Sequence, residues 1–549
     1  MGRILPIEKI AAKFGIKKHE LKLFGNYIAK VDISILKRLD NPSRNKNSKY
    51  ILVTGITPTP LGEGKTVTTL GLSMSLNRLG KKSFACIRQP SLGPLFGIKG
   101  ASGGGKCQII PLDDFCFNFL GDFTAIELAH NLCASFIDNS LYRNNPLNID
   151  CQKIFLRRVS DLIDRSLRNI KIETKNYSYQ SGFELTPSSE LMAIMALVNS
   201  RKELHDSLDD IIVAQNKNGK FIKSKELKVT GAMAALLKYT ILPNLIQTKE
   251  NTPCFAHTGP FANIAHGNSS IIADKIALKL SNYVVTEAGF GADCGAEKFF
   301  NIKCRYSGLI PNAVVLVCTV RALKLHSNRF RDYNDDRLLK EDLIALEEGC
   351  VNLEKQIENI KIFGLPAIVV INKFDQDSDK EIALIKNKAK DFGAFDCIVS
   401  TMYNHGSLGG VNLAKAVIKA VNQKNEFKFL YSLDSSIEDK MRKIATKIYG
   451  AKDIEISDEA FKKILLYKRE GFDKLPICMA KTQFSLSHNP ILKGRPKDFI
   501  IPIKDLHINS GARFITAILG DILTMPGLPK NPQAEKIDID DNGTIQGLS

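Results

Sequence analysis

No segment of the chain approaches the ~18 consecutive apolar residues of a membrane-spanning helix. The first residues are studded with lysine and lack the apolar centre of a secretory signal, and Pro6 stands where a myristoylation signal needs Ser or Thr. These absences predict a cytoplasmic protein with no membrane partner. Twelve cysteines are spread along the chain without one Cys-x-x-Cys pair, there is no His-Glu-x-x-His, and the nine histidines do not cluster. Zinc and disulfide frameworks both fail on spacing. Most cysteines have apolar neighbours, as in Phe84-Ala-Cys-Ile87, and read as small buried hydrophobes. Basic residues form no block of about five or six, so the net charge of +18 reads as a Lys-rich solvated surface and no nucleic-acid partner is expected. Internal repeats and low-complexity tracts are also missing.

What is present is an ordinary globular composition, with 44% hydrophobic and 24% charged residues. At roughly 150 residues per domain, 549 residues predict about two to four domains. After the polar stretch 41–48 comes a short β-branched run, Tyr50 to Thr54. A Gly- and Pro-rich loop follows it, then a helical pattern from Thr66 to Leu79 that Gly80 stops, then a second strand, Ser83 to Arg88. That order is the grammar of a parallel α/β unit. It recurs in the strand-like runs Tyr283 to Thr286, Ala313 to Thr319, Ala367 to Asn372 and Asp396 to Ser400. The last hundred or so residues change character, with strands expected at Phe499 to Lys504 and Phe514 to Leu519. The fold class read from this is α/β: a P-loop NTPase-like parallel sheet core with smaller α/β or α+β domains toward the C-terminus. Boundaries are placed near 360 and 455.

Three glycine-rich loops follow strands, at the edge where parallel sheets hold ligands. The first is Thr57-Pro-Thr-Pro-Leu-Gly-Glu-Gly-Lys-Thr66. Its Gly64-Lys65-Thr66 sits between strand and helix, where backbone N–H groups and the helix dipole favour phosphate. Lys65 would reach terminal phosphates and Thr66 would hold magnesium through its hydroxyl. The first glycine of the usual phosphate-loop pattern is replaced by Thr59, and an ordinary glycine-rich turn is the competing reading. The second loop begins at Arg88, whose planar fork suits a carboxylate or phosphate, and runs on through Lys99, Gly100 and Gly103 to Gly105. An exposed arginine beside a flexible loop is the alternative. The third, Glu287 to Glu297, carries three acidic residues among three glycines and suits a site edge, or a solvated turn.

Longer strings extend these motifs: Thr59-Pro-Leu-Gly-Glu-Gly-Lys-Thr66, Pro90-Ser-Leu-Gly-Pro94, Gly259-Pro-Phe-Ala-Asn-Ile-Ala-His-Gly267, Thr286-Glu-Ala-Gly-Phe-Gly-Ala-Asp293, Pro476-Ile-Cys-Met-Ala-Lys-Thr-Gln483, Leu492-Lys-Gly-Arg-Pro496 and Thr524-Met-Pro-Gly-Leu-Pro529. In order and spacing the chain resembles the formate–tetrahydrofolate ligase family from end to end. The resemblance implies ATP-driven ligation of formate to tetrahydrofolate through formyl phosphate, giving 10-formyltetrahydrofolate. ATP would enter with magnesium, potassium or ammonium would activate, and the assembly would be a homotetramer. By the same resemblance Lys65 and Arg88 match residues that hold formyl phosphate, and Asp122 matches an active-site acid. Thr59, Pro60, Leu61, Gly62, Glu63, Gly64, Lys65 and Thr66 form the nucleotide loop. Phe374 and Tyr403 match aromatics at the folate ring. Residues 1–360 would be the nucleotide and formyl-phosphate domain, 361–455 would contribute to the folate site, and 456–549 would be a small C-terminal domain.

The chain departs from the family pattern at polar positions. Gln89 stands where the family has Glu, Asn118 and Thr124 where it has His, and Tyr403 where it has Trp, a residue this chain lacks altogether. Gln89 counts among the catalytic candidates. Two other readings compete: a relative that binds nucleotide or folate without turnover, and a GTPase whose guanine reader would be Asn372-Lys-Phe-Asp375.

Overall fold

Runs such as Ala313–Cys318 and Ala367–Asn372 are apolar without alternation because they are buried on both faces in the computed structural model of the chain. The structure describes residues 4–40, 47–60, 62–97, 103–174, 176–330 and 332–548. Leu61, residues 41–46, Lys99 and Gly100 lie outside them.

Ten strands lie on the path of the large sheet. They are β1 (Leu21–Phe24), β2 (Ile28–Val31), β3 (Lys49–Gly55), β4 (Ser83–Ile87), β5 (Asn244–Thr248), β6 (Pro253–Ala256), β7 (Tyr283–Gly291), β8 (Ala313–Cys318), β9 (Ala367–Asn372) and β10 (Asp396–Ser400). Their spatial order is β1-β2-β5-β6-β4-β7-β3-β8-β9-β10. From β6 to β10 every neighbouring pair is parallel. The β6–β5, β5–β2 and β2–β1 pairs are antiparallel. The expected strands are all present within one or two residues of the expected ends, except that β7 runs on into the third glycine-rich loop as far as Gly291.

The pleat divides each buried run between two cores. Leu52, Val314, Leu316, Val369 and Ile371 join one core, while Ile51, Val53, Val315, Val317, Ile368 and Val370 join the other. Helix α1 (Lys65–Arg78) covers the second face, with ten consecutive residues from Val67 to Leu76 buried. Helix α2 (Asp122–Tyr142) and the long helix α3 (Leu343–Ile362) pack into the first core.

The sheet continues across residue 360 without a break, since β9 pairs with β8 and β10 with β9. Between α2 and β5 the chain makes an excursion that local patterning did not announce, with a small antiparallel sheet of Ile149–Ile154, Ile212–Asn216 and Phe221–Lys223. The C-terminal part holds small sheets of its own. Ile477–Ala480 is parallel to Phe514–Ile518, which pairs antiparallel with Asp505–Asn509. Cys478, Met479 and Ala517 of these strands belong to the same hydrophobic core as the main sheet.

None of the twelve cysteines is joined in a disulfide, and ten of them are buried. Burial pushes the Cys107 thiol up to about 12, which keeps it protonated and unreactive.

Candidate functional site

Strand order decides the site. β7 lies between β3 and β4, so the three glycine-rich loops, scattered over more than two hundred residues of sequence, leave adjacent carboxyl ends of one parallel sheet.

The 57–66 loop turns from β3 into α1 through Gly62 and Gly64, both left-handed, with φ +76° and +84°. Gly64 precedes the first residue of α1, and a Cβ there would lie 2.5 Å from Nδ2 of Asn372, which donates to the Glu63 carbonyl. Gly64→Ala therefore both strains the backbone and displaces Asn372. Its expected result is an ATP KM raised at least about tenfold with a nearly unchanged melting temperature, measured by steady-state kinetics and thermal unfolding. Glu63 turns inward. Its carboxylate accepts from the Thr59 N–H at 2.7 Å and the Thr59 hydroxyl at 3.2 Å, and its other oxygen is 3.3 Å from Lys65 Nζ. Glu63 thus shapes the loop and aims Lys65, while Pro60 is exposed.

Glu287, near the end of β7, joins the loops. The Thr66 hydroxyl donates to its Oε2 at 2.8 Å, and Arg88 Nε, at the end of β4, is 3.8 Å from its Oε1. Arg88 Nη1 donates to the Pro260 carbonyl at 3.3 Å. Its guanidinium lies against Gly289, where a Cβ would come within 3.0 Å of Nη1. The residues flanking this point are held in unusual conformations. Thr258 and Phe290 have φ of +58° and +61°, costly for a β-branched and a bulky side chain, and such positions gather where surroundings enforce a functional shape.

Beneath Arg88 is a buried polar network. Lys30 Nζ donates to Asp122 Oδ1 at 2.6 Å and to Asn244 Oδ1 at 2.7 Å, and Asn244 Nδ2 donates to Asp122 Oδ2 at 2.7 Å. Asn244 Nδ2 also reaches Gln89 Oε1 at 3.4 Å, and Gln89 Nε2 donates to Asn118 Oδ1 at 2.9 Å. One cation balances one carboxylate, and the remaining members are neutral amides. A glutamate at position 89 would place a second buried carboxylate in this network, which carries a single cation. Both oxygens of Asp122 are engaged, so its carboxylate is a structural acceptor in this arrangement. His257, at the end of β6, is also structural. Its Nε2 donates to the Thr240 carbonyl at 2.7 Å, Nδ1 meets the Ser270 hydroxyl at 2.7 Å, and burial lowers its pKa to about 4.

On the other side of β3, Phe374 follows β9 and Tyr403 follows β10. The Arg321 guanidinium sits 4.4 Å from the Phe374 ring centroid, so one face of that ring is already covered. Tyr403 is 53% exposed. Its ring packs over Gly104, whose Cβ would lie 2.9 Å from Tyr403 Cε2. Among the described residues no ring contact joins Phe374 to Tyr403.

The structure thus brings Thr66 and Arg88 to Glu287 and Lys65 to Glu63, joins Gln89 and Asp122 through Asn244, and sets Phe374 and Tyr403 just after the neighbouring strands β9 and β10. Sequence reasoning did not find Lys30, Asn244 or Arg321, and it weighed Asn372 only as part of a guanine reader, whereas its amide donates to the Glu63 carbonyl. Lys30 carried a signal: it is a lone charge in Ile28–Val31, a strand buried at every position. Among the described residues no group of three or more His, Cys, Asp or Glu is placed to hold a metal ion.

Comparison with known proteins bears on the whole chain. The profile of the family described as formate–tetrahydrofolate ligase matches residues 2–549. A formate–tetrahydrofolate ligase of Roseiflexus castenholzii is 47% identical over 557 aligned positions, covering 100% of this chain and 98% of the relative. One from Roseiflexus sp. (strain RS-1) has the same identity and coverage.

Proposed function

The chain belongs to the formate–tetrahydrofolate ligase family, and we propose that the sheet edge where β4, β7 and β3 end is where its ATP-dependent ligation of formate to tetrahydrofolate takes place. The observation that carries this placement is Glu287, which ties the Thr66 hydroxyl of the first loop to the Arg88 guanidinium of the second and so brings residues of separate loops to one point. In this reading the core is P-loop NTPase-like and 57–66 is its phosphate loop. The α1 N-terminus and Lys65 hold the ATP phosphates. A formate oxygen attacks the γ-phosphorus and ADP leaves, giving formyl phosphate. Lys65 and Arg88 balance the charge on the phosphoryl oxygens during this step. The secondary amine of tetrahydrofolate then attacks the formyl carbon, the carbonyl oxygen gains negative charge, and as the C–O bond to phosphate breaks inorganic phosphate departs with the amine's proton.

Magnesium arriving with ATP would supply positive charge against the phosphates, and the Thr66 hydroxyl and Glu287 carboxylate are oxygen donors of the kind that would hold it. Asp122 and Gln89 act from below: Asp122 fixes Lys30 and Asn244, and Gln89 links them to the strand end that carries Arg88. The pterin lies between Phe374, on the face that Arg321 leaves open, and Tyr403. Residues 1–360 supply the nucleotide and formyl-phosphate site, 361–455 extend the same sheet toward the folate, and 456–549 form the small C-terminal part. Potassium or ammonium activation, a homotetramer and a cytoplasmic setting complete the reading. Among the described residues no helix is long and apolar enough to cross a membrane.

The test is ADP release measured with ATP and formate, with and without tetrahydrofolate. Sustained release that needs both is expected. Release indifferent to formate overturns the reading, as does a preference for GTP, and binding without release is the mark of a non-catalytic relative. On the folate side, tryptophan at position 403 offers a larger stacking face, and an aromatic pair contributes about 0.5–1.5 kcal/mol beyond area burial. Tyr403→Trp should lower the tetrahydrofolate KM several-fold and leave the ATP KM unchanged. A shift in the ATP constant instead would move Tyr403 out of the folate site.

A further inference from the structure

The start of the 57–66 loop is held from a distance. Thr57 is fully buried and gripped at three atoms. Its N–H donates to Asn352 Oδ1 at 3.1 Å, and its carbonyl lies 2.9 Å from His326 Nε2. Its hydroxyl oxygen accepts from Asn352 Nδ2 at 2.9 Å and from Gln356 Nε2 at 3.1 Å. Gln356 and Asn352 lie on α3, one turn apart on one face. Gln356 Nε2 also donates to Asp293 Oδ1 at 2.7 Å, and the Asp293 N–H returns to Gln356 Oε1 at 3.0 Å. The other Asp293 oxygen is 2.8 Å from Lys481 Nζ, with the two side chains 1% and 0% exposed. Lys481 follows the C-terminal strand Ile477–Ala480, and its ammonium also donates to the Ser485 carbonyl at 2.5 Å and the Thr482 carbonyl at 3.1 Å. A second tie runs beside the first, from Asn352 Nδ2 to the Gly494 carbonyl at 2.8 Å and from the Gly494 N–H to His326 Nδ1 at 3.3 Å.

We infer that Lys481 and Asp293 are positioning residues for nucleotide binding, through which the C-terminal part of the chain fixes the first residue of the phosphate loop. The inference rests on the reading of 57–66 as that loop. Neither side chain reaches the loop itself. The connection is the Asp293–Gln356–Thr57 relay, in which each group has its partner within hydrogen-bond reach. A buried ion pair is a weak source of stability, because the loss of hydration offsets the attraction. Its value here lies in direction: a carboxylate pinned by an ammonium holds the Gln356 amide in the one orientation that donates to Thr57.

The experiment uses the full-length protein and measures the KM for ATP, formate and tetrahydrofolate, together with amide hydrogen exchange. Lys481→Met is expected to raise the ATP KM about tenfold, with the other two constants changed less than about twofold, and Thr57→Val to raise it about fivefold. The combined Lys481→Met/Thr57→Val protein should be little worse than the stronger single variant, because both break one relay. Amides of 56–66 should exchange faster in Lys481→Met; a purely structural role would quicken exchange in the C-terminal part alone. If Lys481→Met does not fold, Lys481→Met/Asp293→Leu removes the relay without stranding a charge and must show the same selective rise. An unchanged ATP KM in a folded relay variant, equal rises in all three constants, or multiplicative effects of Lys481→Met and Thr57→Val would overturn the inference. Failure of the phosphate-loop reading looks different: Lys65→Ala would then leave ATP use untouched.

Discussion

Lys65→Ala is expected to fold and to lose formate-dependent ADP release by on the order of 10²–10³-fold, the usual consequence of deleting one preorganised donor to a developing charge. The structure explains why so much rests on this side chain. Lys65 is the first residue of α1, so its backbone and the helix N-terminus face the same way. Its ammonium is held 3.3 Å from the buried Glu63 carboxylate, which fixes its direction before substrate arrives. Alanine removes the charge and, among the described residues, leaves Glu63 with the Thr59 donors. Glu63→Gln/Lys65→Ala removes that unbalanced carboxylate and serves as the control for loop collapse. If the double variant is as inactive as the single one while both melt near the parent temperature, the missing ammonium is the cause. Near-normal turnover in a folded Lys65→Ala protein would remove Lys65 from the chemistry.

Arg88→Lys keeps the charge and is nevertheless expected to lower kcat/KM for formate by about 100-fold. The guanidinium spans Glu287 on one side and the Pro260 carbonyl on the other while lying flat against Gly289. An ammonium is a single point. It can keep one of these partners, and it presents no fork to a planar formyl group or to two phosphate oxygens. The formate constant should suffer more than the ATP constant, because Lys65 and the helix N-terminus remain. Equal formate kinetics in Arg88→Lys and the parent would show Arg88 to be a surface residue beside the site.

The strands and the first loop were legible because their signals are local. A strand covered on both faces is apolar at nearly every position, so Ala313–Cys318 and Ala367–Asn372 stand out in any window of the sequence. A loop that turns left-handed before a helix needs glycine, and Gly62 and Gly64 supply it beside Lys65 and Thr66. The long motifs likewise carried the family, from one end of the chain to the other.

The sequence alone did not reveal which loops meet. β7 enters the gap between β3 and β4 from roughly two hundred residues downstream, and only that insertion brings Glu287 to Thr66 and Arg88. The same holds for Lys30 under Asp122, Arg321 on Phe374, and Lys481 at the far end of a relay to Thr57. It also holds for the sheet's continuation across residue 360, which composition does not mark. The residues themselves determined the fold class, the elements and the chemistry of each loop, because backbone geometry and burial write a period into neighbouring positions. Tertiary structure decided the partners, because a hydrogen bond or ion pair between residues hundreds apart leaves no period behind and exists only once the sheet order has placed them together.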